Sequence, residues 1–186
     1  METRARLLNA GINRFSKHGV RGSSSADIAE DAGVAVGTLY THFEDKEALL
    51  ACILDEAHDD YRSYVERDGL ALLHDPPALV RRMIESTVEW CEKNLKVARI
   101  FFHPEVLGTA SGEAMLERVM TRTETLIGAG RALGIFRADI HPGVASRALL
   151  GMQLITLRWW LKNPDRLDRE ELIDQLAAIR LNGFHP

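Results

Sequence analysis

The sequence predicts an all-α protein of about nine helices. Three observations carry this. Apolar residues recur three and four positions apart along most of the chain, as one face of a helix requires, and no convincing alternating strand pattern interrupts them. Cap and stop signals punctuate the apolar stretches: Ser24 with Asp27, Asp45, Pro76-Pro77, Asn163-Pro164, and Asp168 with Glu171. Only six prolines occur in 186 residues, and there is no internal repeat or low-complexity tract.

The first helix is expected over about residues 3–18, with Leu8, Ile12 and Phe15 facing inward and Gly19 stopping it. Arg21 and Gly22 form a loop. Ser24 then opens a short helix: its hydroxyl can take an N–H of the first turn while Asp27 reaches back to the cap. Ile28, Ala29 and Ala32 mark its inner face, Gly33 ends it where positive φ is wanted, and Val34 plugs the turn. Another short helix runs from about Val36 to Phe43, with Leu39 and Phe43 four apart on one face. Its other faces carry Gly37, Thr38, Tyr40, Thr41 and His42. A short helix whose outer surface is small and hydrogen-bonding fits a DNA major groove, where the second helix of a helix-turn-helix lies. Asp45 is a natural N-cap for a long fourth helix from Lys46 to about Arg67, apolar at Leu49, Leu50, Ile53, Leu54 and Ala57 and acidic further on.

A break is expected over Gly69–Pro77. The fifth helix, about 76–93, places Leu79, Met83, Thr87 and Trp90 on one face. The sixth, about 95–107, includes Val97, Ile100, Phe101, Phe102 and Val106, with Pro104 kinking it or moving its start. After a Gly108–Gly112 loop, the seventh, about 112–133, carries Met115, Leu116, Val119, Met120, Thr123 and Ile127. The eighth, about 143–162, has two apolar stripes: Ala148, Met152, Ile155 and Trp159, and Leu150, Leu154, Leu157 and Leu161. The ninth, about 168–182, has Leu172, Leu176 and Ile179 on one face and begins a second with Ile173 and Ala177.

Composition excludes several classes. The chain carries 46% hydrophobic and 27% charged residues and a net charge of −4, which is ordinary for a globular protein and not that of a general polyanion binder. The first 50 residues hold six basic and seven acidic side chains. Five of the basic ones, however, fall within positions 1–24 beside a single acid, Glu2, and local patches set the field at phosphates. No apolar run reaches bilayer length and the N-terminus has no signal-peptide core, so a cytoplasmic protein is expected. Cys52 and Cys91 make no CxxC and read as small buried thiols. Gly128-Ala-Gly-Arg-Ala-Leu-Gly134 has the wrong spacing for a dinucleotide loop, and there is no phosphate-binding loop or nucleophile elbow. No histidines pair at i,i+4, and His58 among its acidic neighbours reads as a solvated face. No cofactor, metal site or catalytic residue is expected.

Ile28-Ala29, Ala32-Gly33-Val34, Gly37-Thr38-Leu39-Tyr40, His42-Phe43 and Lys46-Glu47-Ala48-Leu49-Leu50 together resemble the DNA-binding domain of TetR-family transcriptional regulators, over roughly residues 3–50. The resemblance implies a DNA-binding domain over residues 1–47 and a helical ligand-binding and dimerisation domain over 48–186, joined by the fourth helix. It implies that Val36, Gly37 and Thr38 face base edges, and that Ser24, Tyr40, Thr41, His42 and Lys46, assisted by Arg21, hold phosphates. Three positions depart from the family pattern. Ala35 replaces the usual serine cap, Val36 replaces a frequently polar residue, and Ser25 fills a slot that is usually apolar. Val36 is suited to a thymine methyl.

The implied role is a ligand-responsive repressor binding operator DNA. The alternatives are an activator or a ligand-independent regulator of the same fold, or a helical enzyme that uses the body as its active site. A homodimer is expected, because the last two helices each have two apolar faces and one chain covers only one of them. Leu150, Leu154, Leu157, Leu161, Leu172, Ile173, Leu176 and Ile179 are the expected interface. The expected effector is small and mainly apolar, aromatic or acyl, within an interior formed by Met83, Thr87, Trp90, Phe102, His103, Val106, Met120, Thr123, Met152, Ile155 and Trp159. Arg99, His103 and Arg158 are the candidates for an anionic group on it.

Overall fold

A computed structural model describes residues 2–67, 72 and 74–183. The described residues include ten α-helices and a 3₁₀ turn over Pro164–Arg166, with no strand among them: α1 (Glu2–His18), α2 (Ser25–Asp31), α3 (Val36–His42), α4 (Lys46–Glu66), α5 (Pro76–Lys93), α6 (Leu95–Phe101), α7 (Pro104–Leu107), α8 (Ala110–Ala132), α9 (Pro142–Lys162) and α10 (Arg169–Asn182). The all-α expectation is met. Of the break expected over 69–77, residues 69–71 and 73 lie outside the described residues; residues 72, 74 and 75 are not α-helical, and α5 begins at Pro76.

The helix ends follow the chemistry of the chain. Ser24 and Asp27 form the full capping box, with Asp27 N donating to Ser24 Oγ at 3.1 Å and Ser24 N donating to Asp27 Oδ2 at 3.0 Å. These bonds hold the Asp27 carboxyl below its ordinary pKa, the Ser24 hydroxyl being the main cause. Asp45 accepts from Ala48 N at 2.7 Å and Asp168 from Glu171 N at 2.9 Å. Gly33 ends α2 at φ 64°. The stretch expected as one helix over 95–107 is two. Phe102 and His103 break the ladder before Pro104, and His103 Nδ1 accepts from Glu105 N at 3.3 Å as the cap of α7. Helix α8 starts earlier than expected because Thr109 Oγ1 accepts from Gly112 N at 3.1 Å.

The chain forms two compact units. The first joins residues 1–60 to residues 94–115. Its core holds Leu7, Phe15, Ile28, Leu39, Leu49, Leu50, Ile53, Ile100 and Phe101. Within it α1 packs on α2 and α6. Lys96 donates to Asn13 Oδ1 at 2.8 Å, and Glu105 Oε1 accepts from Arg21 N at 2.5 Å. Gly19, at φ 74°, leaves room for this carboxylate: a Cβ there would lie 2.6 Å from Glu105 Oε2.

The second unit comprises residues 61–93 and 116–186. Helices α5 and α10 form its most extensive pairing. Ile84, Val88, Trp90 and Cys91 of α5 are buried, as are Leu172, Ile173 and Leu176 of α10 and Leu157, Trp160 and Leu161 of α9. Trp160 Nε1 donates to Leu167 O at 3.0 Å, tying the end of α9 to the turn that leads into α10.

Candidate functional site

In the first unit α2 and α3 form the helix-turn-helix. Leu39 and Phe43 are buried beneath α3, which fixes the rotation of that helix. The other side is presented outward: Val36 is 39% and Tyr40 53% exposed, and Gly37, Thr41 and His42 are exposed as well. Thr38 is part-buried. A Cβ built on Gly37 would meet nothing within 4 Å, so no packing inside the chain requires glycine there. A surface of this kind lets another molecule approach the backbone closely. Ala35 provides no side-chain bond to the start of α3.

Beside α3, residues Arg21, Gly22, Ser23, Ser24, Ser25, Asp27, Asp45 and Lys46 line an open concavity of about 520 Å³. Lys46 Nζ donates to Val20 O at 2.9 Å and to Ser23 O at 3.0 Å. The ammonium expected on phosphate is therefore first a clamp on the loop before α2, with one of its three donors left over. Ser24 is likewise occupied as the cap of α2, and its hydroxyl also donates to Asp27 Oδ2 at 2.7 Å. The Thr41 hydroxyl donates to Gly37 O at 2.9 Å. Arg21 has its side chain almost wholly in solvent.

The basic cluster over positions 1–24 is revised by the structure. Arg4 pairs with Glu56 at 3.2 Å, Arg6 caps the end of α2 through Gly33 O at 3.0 Å, and Arg14 makes a two-pronged bond to Asp31 at 2.6 and 3.1 Å. Three of the five cations thus hold the fold together. Lys17 and Arg21 remain outward.

In the second unit the two apolar stripes of α9 differ in burial, and the buried one is not the stripe expected against the ligand. Leu157 and Leu161 of α9, and Leu172, Ile173 and Leu176 of α10, were expected against a partner but are buried within the chain. Leu150, Leu154 and Ile179 are part-buried. Ile155 and Trp159, expected against an interior ligand, are 62% and 40% exposed. With Val144, Ala148 and Gly151 they form one open stripe of α9 at helical spacing. The reason is that both stripes are apolar, so hydrophobicity alone does not say which turns inward. Leu126 and Leu133 of α8 and Leu181 of α10 are exposed too.

The other expected ligand residues are divided. Phe102, His103 and Val106 belong to the first unit. Met83, Thr87, Trp90, Met120, Thr123 and Met152 belong to the second, where Thr87 and Trp90 are fully buried and the rest part-buried. Thr87 is the centre of a polar cluster. Its hydroxyl donates to Met83 O at 2.9 Å, accepts from Gln153 Nε2 at 3.0 Å, and lies 3.2 Å from Tyr61 OH. Arg180 Nη2 donates to Gln153 Oε1. Trp90 packs edge-on against Tyr61 with ring centres 5.4 Å apart. Burial raises the Tyr61 pKa and lowers that of Arg180. Sequence reading named Thr87 but missed Tyr61, Gln153 and Arg180. The signal was register: Arg180 follows Ile173 and Leu176 by seven and four, and Gln153 lies three after Leu150 and four before Leu157, so both polar residues fall on inward stripes.

Neither cysteine is activated. Burial pushes the Cys91 thiol up to about 12 and also raises Cys52, which disfavours the reactive thiolate. Among the described residues no group of three acidic, histidine or cysteine side chains is placed to hold a metal, and no helix is long and apolar enough to cross a membrane.

A short helix held by a capped neighbour and a tight glycine turn, with its polar face turned outward, defines a helix-turn-helix DNA-binding protein. The family described as "Bacterial regulatory proteins, tetR family" matches residues 7–53, and that described as "Tetracyclin repressor-like, C-terminal domain" matches residues 74–184. The chain belongs to the TetR family and is a DNA-binding transcriptional regulator. It is 32% identical to the HTH-type transcriptional regulator AcrR of Shigella flexneri, over 98% of this chain and 89% of that one. It is 28% identical to the HTH-type transcriptional repressor KstR2 of Rhodococcus jostii, over 97% and 90%. Its fold is similar to that of the fatty acid degradation regulator FadR from Bacillus halodurans, with a TM-score of 0.84 at 18% identity, covering 98% and 96% of the two chains. It is also similar to FadR from Bacillus subtilis, solved in complex with stearoyl-CoA, with a TM-score of 0.75 at 16% identity, covering 97% and 99%.

Proposed function

We propose that the protein is a cytoplasmic homodimeric repressor that binds a two-fold operator and is released by a small, mainly apolar effector held among α5, α8, α9 and α10. The observation that carries the DNA half is the outward face of α3, where Val36, Gly37 and Tyr40 are exposed over a buried Leu39 and Phe43. In this reading Val36, Gly37 and Thr38 read base edges. Tyr40, Thr41 and His42 hold phosphates with Arg21, and Lys46 and Ser24 fix the loop that presents them. Phosphate contacts set register and base contacts set sequence. The second copy covers the Val144–Ile155–Trp159 stripe, and pairing places two α3 helices about 34–36 Å apart or a longer operator spacing. An apolar effector is supported by Trp90, Met83 and Met152 around a few polar groups, and by the stearoyl-CoA held by a protein of similar fold. The effector acts only by as much as it prefers one conformation over the other. The KstR2 relative is named a repressor, which favours repression over activation.

The test is a mobility shift with DNA from upstream of the protein's own gene, with wild type and Tyr40→Ala. Wild type retards the fragment, and Tyr40→Ala binds every tested sequence about tenfold more weakly, the effect of losing a phosphate contact to a residue that supports no core. Unchanged affinity in the variant removes Tyr40 from the interface. A wild-type protein that raises transcription from that fragment refutes repression.

A further inference from the structure

We infer that Arg180 anchors the effector of this regulator, and that the effector is an apolar carboxylic acid whose carboxylate lies against the Arg180 guanidinium. The inference rests on the ligand-responsive reading above and gives that ligand its chemical class.

The argument is one of donors and acceptors. A guanidinium offers five N–H donors and no acceptor. Arg180 is part-buried on α10; its Nη2 donates to Gln153 Oε1, while its Nε is shut off from solvent with no hydrogen-bond partner. No carboxylate pairs with it among the described residues. The acids of the helices around it serve other cations: Asp174 and Glu170 bind Arg81, Glu92 binds Arg169, and Glu89 binds Lys93 and Arg67.

The neutral members of the cluster offer acceptors but no counter-charge. Thr87 donates to Met83 O, so its oxygen is left to accept from Gln153 Nε2 and from the Tyr61 hydroxyl. The Gln153 carbonyl oxygen, which carries no net charge, accepts from Arg180. A buried charge without a counter-charge is unfavourable unless something supplies one, and the lowered pKa of Arg180 expresses the same imbalance. A carboxylate is the matching group, because it takes two parallel N–H bonds from one edge of a guanidinium. Arg14 shows that fork in this chain, giving Nε and Nη2 to Asp31. At Arg180 the Nε–H has no such partner. The cluster contains one cation among the described residues, which suits a monoanion better than a polyphosphate. Trp90, fully buried and edge-on to Tyr61, supplies an apolar wall.

The experiment is titration calorimetry on the full chain with sodium decanoate and sodium phenylacetate, each against its methyl ester. Wild type is expected to bind at least one acid ten- to a hundredfold more tightly than its ester, the range of a charge-assisted bond. Arg180→Met is expected to lose that preference while still retarding operator DNA. If Arg180→Met does not fold, Gln153→Leu is used instead, which frees the guanidinium from its fixed position and is expected to reduce the preference. The inference is overturned if neither acid binds, if acids and esters bind alike, or if the folded variant keeps the preference. DNA retardation by wild type with no response to either acid overturns the anion site alone. Acid preference with no DNA retardation at all overturns the regulator reading and leaves the anion site standing.

Discussion

Arg14 and Arg180 are both helix-borne guanidinium groups, one in each compact unit, and their surroundings differ. Arg14 meets the Asp31 carboxylate with two bonds, at 2.6 and 3.1 Å. Arg180 meets one amide oxygen and keeps an enclosed Nε without an acceptor. The same contrast holds at the surface. The first unit buries Leu39 and Phe43 and shows hydrogen-bonding groups around them, whereas α9 in the second shows Ile155 and Trp159 to solvent. In the first unit the Arg14 charge is matched within the chain, and the outward face of α3 carries the hydrogen-bonding groups. The second has a part-buried guanidinium with no carboxylate on it among the described residues, and an exposed apolar stripe; the proposed effector and the proposed second copy rest on these two features.

Substitutions on the two sides of the second unit test this contrast. The largest effect is expected from Leu172→Asp. Leu172 is 1% exposed, so the carboxylate enters the core unpaired and destabilises the chain by about 4 kcal/mol or more. Thermal melting should show the protein largely unfolded. Ile155→Glu combined with Trp159→Glu should act differently. Both sites are open, so helicity by circular dichroism is retained while sedimentation reports half the mass and operator affinity falls at least a hundredfold. If that pair leaves the mass unchanged, α9 is not the interface. If Leu172→Asp gives a folded monomer, the partner covers α10 instead.

How far these regions were legible in the sequence follows from the range of the interactions involved. The helix-turn-helix is written in residues within about four positions of one another: the Ser24–Asp27 box, Gly33, and Leu39 with Phe43 all appear where local chemistry placed them. The roles of Lys46 and Arg14 depend on partners far along the chain, Ser23 and Val20 for one and Asp31 for the other; local reading gave Lys46 to phosphate and counted Arg14 only as part of a basic cluster. On α9 both stripes are apolar, and only packing against α5 and α10 decides which is buried. Arg180 near the end of a helix reads by itself as a solvated partner of the helix dipole; its register with Ile173 and Leu176 was the contrary signal.

The smallest expected effect sharpens a comparison inside the head. Helix α2 has a complete capping box, and α3 begins at Ala35 with no side-chain cap. Ala35→Ser should stabilise the fold by about 0.5–1 kcal/mol, seen as a thermal midpoint a few degrees higher. A lower midpoint would mean that the alanine methyl contributes more by packing than a hydroxyl does by capping. The α2 cap should also weaken in acid. Asp27 is held below its ordinary pKa, so its contribution is complete above the usual carboxylate range and is lost as pH falls through the lowered value. Ser24→Ala removes the main cause of that depression and should flatten this part of the acid profile.

The segment 94–115 belongs to the same compact unit as the helix-turn-helix although about fifty residues separate them in the chain. Glu105 takes the Arg21 N–H, Lys96 reaches Asn13, and Gly19 stays small beside Glu105. In terms of modularity, the portable piece is discontinuous. A recombination event, or a designer, who exchanges only the first 53 residues between two relatives transfers a head whose loop is fastened to a segment left behind. Heads should therefore trade cleanly only when positions 13, 19 and 21 travel together with positions 96 and 105, and such residues are expected to drift as a set between relatives that read different operators.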